Sequence, residues 1–255
     1  MGADRMFRLL ALATIALVPA LGMAADTPDL VFPGGSVQLD GDQAGNLSTP
    51  LRLMLILTVL SLAPSLLLMT TAFTRIIIVL AMLRHSLGMP STPPNAVLIS
   101  FGLLLTALTM APVWTDINQS AFSPYIAGEL DDKAFAERAL LPIRGFMIAQ
   151  VREKDLALVL DLADSPVPED ISGVETIHLV PAFMLSELRR AFEIGFIVFL
   201  PFILLDIIVA SALMSLGMIM VPPLAFSLPL KILLFVLIDG WALLTASLVN
   251  SFVAV

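Results

Sequence analysis

Gly217-Met218-Ile219-Met220-Val221-Pro222-Pro223 divides a long apolar run. After Glu193 the chain continues for 62 residues with only three ionisable side chains, Asp206, Lys231 and Asp239. Residues 194–216 and 224–248 therefore read as two hydrocarbon-length helices that carry buried charge, joined by a segment that cannot be regular helix. A charged side chain at mid-bilayer costs about 2.5–3.5 kcal/mol on insertion scales, so each of the three needs a partner, a wet cavity or a function. Lys231 and Asp239 are eight residues apart, about 12 Å along one helix, which is too far for a direct pair. Asp206 is the first partner to test for Lys231. The joint makes its own demand, because irregular backbone at membrane depth survives only where protein or water satisfies its polar groups.

The rest of the composition fits this reading. Hydrophobic residues make up 58% and charged residues 13%, and the mean hydropathy is +0.99. About a quarter of a soluble domain is charged, so the chain is a membrane-type protein. With no cysteine, disulfides, thiolate catalysis and thiolate metal sites are excluded. The only two histidines, His85 and His178, lie far apart in sequence, so no metal or other cofactor is expected. The net charge of −8 disfavours nucleic acid, whose phosphates call for clustered Lys and Arg.

The expected architecture is all-α, built of membrane-type helical hairpins with about four long apolar helices and an extracytoplasmic helical segment. Residues 1–24 read as a signal peptide: Arg5 and Arg8 precede a short apolar core, and Gly22-Met23-Ala24 offers cleavage after Ala24. Residues 25–50 form a Pro-, Gly- and Asp-rich exported tail without apolar periodicity. Residues 51–114 form a first apolar hairpin, with spans at 53–74 and 96–113. Between them lie Arg75, Arg84 and His85. Residues 115–180 form an acidic segment with twelve acids and five bases, and helical periodicity runs through 131–159. The charge bias puts Arg75 and Arg84 on the cytoplasmic side and the acidic segment outside. Residues 181–255 form the second apolar hairpin with its Met-Pro loop. At its mouth Glu187, Arg189, Arg190 and Glu193 form a charged collar, either solvated or bridging subunits.

Longer motifs carry a resemblance. Leu179-Val180-Pro181-Ala182-Phe183, Phe192-Glu193-Ile194-Gly195-Phe196, Leu200-Pro201-Phe202, Met214-Ser215-Leu216-Gly217-Met218, Ser227-Leu228-Pro229-Leu230-Lys231 and Asp239-Gly240-Trp241 resemble the FliP family of flagellar type III export-gate proteins. Thr74-Arg75-Ile76-Ile77-Ile78-Val79-Leu80 and Thr92-Pro93-Pro94-Asn95 agree with it. The resemblance covers residues 53–252, apart from much of the acidic segment. It implies a ring of five copies assembled with the FliQ and FliR proteins in the inner membrane at the flagellar basal body. It further implies a helical export gate that passes unfolded flagellar subunits, with no catalytic residue. The apolar helices would then be buried largely against other subunits, which would supply partners for Asp206, Lys231, Asp239, Glu187 and Arg75. Met218, Ile219, Met220, Pro222 and Pro223 match the family's pore-closing methionine loop. Unbranched thioethers suit such a seal because they deform around a passing chain. Ile219 replaces a methionine and is stiffer.

Three rival readings remain at this stage. Intramembrane aspartates are also the currency of proton-conducting transporters. An aspartyl protease dyad of Asp206 and Asp239 lacks the expected Gly-x-Gly before its aspartate. Within the resemblance, the homologous gate subunit of a virulence injection system is the runner-up.

Overall fold

The computed structural model describes residues 31–32, 35–36, 49–166, 171–218 and 220–252. The expected signal peptide with its Ala24 cleavage site, most of the exported tail, and Ile219 lie outside the described residues. The chain divides into two units, residues 1–57 and 58–255. In the first, Val31–Phe32 (β1) and Gly35–Ser36 (β2) pair antiparallel, and helix α1, Thr49–Met69, begins.

The second unit is helical. After an interruption at residues 70–72 come α2, Phe73–Ser86, and α3, Asn95–Thr109. Next is α4, Ala111–Ile117, which runs through a π turn at Asn118–Phe122 into the single turn α5, Ser123–Ile126. The acidic segment folds into α6, Asp132–Gln150, and α7, Glu153–Leu162. Asp131 starts α6 by accepting the Ala134 amide at 2.9 Å, which satisfies one of the free N–H groups of a helix start. Helix α8 spans Thr176–Ser215, and the chain closes with α9, Leu224–Leu237, and α10, Gly240–Asn250.

Helix α8 organises the unit, and the expected third span at 194–216 falls on its second half, up to Ser215. The helix is continuous over 40 residues, about 60 Å at 1.5 Å per residue and twice a hydrocarbon core. The collar residues therefore lie inside it. Helices α2, α6 and α7 pack on its first half, and α9 lies against α8 as well. Its buried stripe, Leu179, Ala182, Phe183, Ser186, Glu187, Ala191 and Gly195, follows the three- and four-residue steps of one helical face. Helix α2 presents a matching stripe of Arg75, Ile76, Val79, Leu80 and Leu83. The two helices run parallel: Arg75 meets Glu187, and Met82 sits against Gly195, where any Cβ would overlap its sulfur.

Two expectations are corrected. The second span, expected as one helix over 96–113, is broken after Thr109, and Pro112 lies in the first turn of α4, where its missing N–H breaks no helical bond. The chain bends by 57° between α3 and the α4–α5 segment. The fourth span is likewise two helices meeting at 66°. Among the described residues, α8 is the one helix long and apolar enough by itself to cross a membrane; the two bent pairs qualify only if each counts as one span.

Candidate functional site

Polar chemistry concentrates at two nodes, one at each end of α2. At the first, Arg75 is fully buried. Its Nε donates to Glu187 Oε2 at 2.8 Å, and a second nitrogen donates to Glu187 Oε1 and to Gln150 Oε1 at 3.3 Å. The third donates to both the carbonyl and the hydroxyl of Ser251, each at 2.9 Å. The guanidinium lies 3.7 Å from the centroid of the Phe252 ring, a cation–π contact, and Phe252 stacks on Phe146. One side chain thus ties together α2, α6, α8 and the turn after α10. Beside it, Asp155 of α7 accepts from Ser186 at 2.8 Å and lies 3.4 Å from Arg189. Arg190 donates to Gln150 at 3.0 Å.

This geometry joins Arg75 to the acidic segment. Gln150 ends α6 of that segment and bonds Arg75 directly. Arg84 and His85, by contrast, sit at the far end of α2, where Arg84 donates to Asn95 Oδ1 at 2.6 Å and to the Pro93 carbonyl at 3.2 Å. Glu187 is equally buried within its own chain, so it is no solvated collar.

The second node lies at that far end. Lys231 of α9 donates to Asp206 Oδ2 of α8 at 2.6 Å and to the carbonyl of Ser86, the last residue of α2, at 3.0 Å. A helix end leaves its last carbonyls unpaired and carries partial negative charge, so the ammonium satisfies both needs of α2. Burial is uneven, with 4% of the Lys231 side chain exposed against 41% of Asp206.

Between Asp206 and Lys231 the chain makes its Met-Pro turn. Gly217 adopts φ +77°; its N–H reaches the Met214 carbonyl at 3.0 Å, and the Met218 N–H reaches the Leu213 carbonyl at 3.0 Å. That pair of bonds is the Schellman closure of a helix, which favours glycine at the left-handed position. Pro223 immediately precedes α9. Met218 is 39% exposed and Met220 96%, and Pro222 and Pro223 are exposed too. Asp239 forms the other corner. It is left-handed at φ 51°, exposed in the single chain, and without an ion-pair partner among the described residues. A Cβ at Gly240 would overlap the Phe235 ring, and Phe235, Trp241 and Phe101 form an edge-to-face chain across the corner.

Residues 56–248 match the FliP family. The chain belongs to the FliP family. It is 48% identical over 208 residues to a flagellar biosynthetic protein FliP of Bacillus subtilis, covering 81% of this chain and 94% of that one. With the FliP of Caulobacter vibrioides it shares 43% over 244 residues, 96% and 89% of the two chains. With that of Aquifex aeolicus it shares 44% over 211 residues, 82% and 88%. As a FliP-family protein with an apolar helix of spanning length, it is a membrane-associated component of the flagellar export apparatus.

Several residues of this FliP-family site were not read from the sequence: Ser86, Gln150, Asp155, Ser186, Ser251 and Phe252. For Ser186 the signal was present, since it falls with Phe183 and Glu187 on the apolar face of α8. For Ser251 and Phe252 there was none. They reach Arg75 across 176 positions, a tertiary fact without local trace.

Proposed function

We propose that this chain is the core channel subunit of the flagellar type III protein export gate in the bacterial inner membrane. Copies form a ring, five by the family resemblance, together with FliQ and FliR, and unfolded flagellar subunits pass through it. Met218, Met220, Pro222 and Pro223, with Ile219 between them, form the loop that closes the channel at rest. The observation that carries this reading is the exposure of Met218 and Met220 on a proline-bounded turn at the tip of an apolar helical hairpin. Exposed thioethers on a soluble surface would gain nothing; facing a pore axis they seal it and yield. Extended apolar surface on α3, α8 and α9, including Val97, Leu104, Ile197, Leu204, Leu233 and Leu237, suits burial against neighbouring subunits. A proton relay is less favoured, because Asp206 is engaged by an ammonium.

The test replaces Met218 and Met220 together with Ala in the gate co-expressed with its partners. Ion leakage through the resting gate is expected to rise, while flagellar export continues. Unchanged conductance would contradict the pore-closing role.

A further inference from the structure

Helix α9, which follows the methionine loop, is lightly held within the chain. Helix α9 buries three side chains, Ser227, Lys231 and Phe235, at four-residue steps along one narrow face. Phe235, the only apolar one, lies at the end of α9 remote from the loop. Besides the buried Ser227, two contacts hold the half nearer the loop. One is the Lys231 ammonium, shared between Asp206 and the Ser86 carbonyl. The other is the turn after α2, where Gly88, at φ +78°, sits so close that a Cβ would lie 3.3 Å from Leu224 and 3.9 Å from Leu228. Leu224 directly follows Pro223. On the incoming side, Asp206 stands about 16 Å before Gly217 along α8, and on the outgoing side Lys231 stands about 10 Å beyond Leu224. The ammonium thus closes the stem of the hairpin and references it to the C-terminal end of α2. Helix α2 is in turn fixed to α8 by the buried Arg75–Glu187 pair.

We propose that Lys231 is a positioning residue for the pore-closing loop: with Asp206 and the Ser86 carbonyl it clamps the hairpin stem, so that Met218 and Met220 are presented at one fixed place. This rests on the assignment of the loop as the channel closure. The clamp is a three-helix device, and neutralising it frees the loop-proximal half of α9 without removing any methionine. An arginine in place of Lys231 keeps both a cation and several donors, and so keeps the clamp.

The chain has no native cysteine, so one engineered thiol reports on it alone. Ser227, fully buried one turn before Lys231, is changed to Cys, and its maleimide labelling is timed in the assembled gate with partners present. Resting ion leakage is measured in parallel. In the Lys231→Met variant, and in Asp206→Asn/Lys231→Met, labelling is expected to accelerate about tenfold as the stem opens locally, with leakage rising alongside. Lys231→Arg is expected to label near the parental rate. Unchanged labelling in both neutralised variants would overturn the clamp. So would failure of both to assemble, since the pair would then serve assembly and not loop position. Faster labelling without added leakage would uphold the clamp and contradict instead the pore-closing role of the methionines.

Discussion

At the scale of single residues, the chain places its charges where sequence alone makes them costly. Arg75 and Glu187 are both without solvent exposure, and such a pair is stable only because the remaining guanidinium donors are also satisfied, by Gln150 and Ser251. Changing Glu187 to Gln should therefore destabilise the purified complex by about 3–5 kcal/mol, the cost of leaving a buried charge uncompensated. Arg75→Met/Glu187→Leu together should cost clearly less, and thermal unfolding of the two variants measures the difference. Equal losses would contradict the pairing. At the other node the asymmetry of burial predicts an order. Asp206→Asn leaves a buried ammonium short of its counter-charge, whereas Lys231→Met leaves a carboxylate that is 41% exposed. The first should therefore lower the unfolding temperature more.

At the scale of elements, the apolar runs were legible because a hydrocarbon-length helix has few alternatives, and the all-α class followed from them. The breaks were not. Asp239-Gly240 reads as an ordinary dipeptide in a span, and its left-handed corner is set by the Phe235 ring beneath Gly240 and by Trp241 packing 5.4 Å from Phe235 and 6.0 Å from Phe101. The burial of Glu187 was hidden for the complementary reason. Four charges in a row of seven look like a solvated collar, yet Glu187 falls on the buried face, and Arg190 bonds Gln150 from its flank. The burial of Arg75 was not legible either, because topology rules count charges in loops, and this one belongs to a packed stripe. Gly240→Ala should drive Cβ into the Phe235 ring, shift α10 and reduce the amount of assembled gate, as read by native electrophoresis of detergent extracts. Full assembly would show that the corner can open without loss.

Over the whole of the second unit, buried polar bonding gathers around the first half of α8, while exposed apolar surface gathers around its second half. That division explains why hydrophobicity indicated burial without indicating what does the burying. The carboxy terminus belongs to the polar half. Ending the chain at Asn250 would strip Arg75 of the Ser251 acceptors and the Phe252 ring together. Charged hydrogen bonds contribute about 1.5–3 kcal/mol each, so the truncated chain should fail to accumulate at 37 °C, whereas removal of residues 253–255 should be tolerated. Immunoblots of membranes decide between these outcomes.

The central claim, that this chain is a channel subunit through which flagellar proteins leave the cell, is tested most directly by deleting its gene in the parent bacterium and measuring flagellin in the culture medium. The account predicts loss of secreted flagellin and of motility, both restored by the intact gene supplied in trans. A deletant that still swims and exports flagellin in full would contradict it.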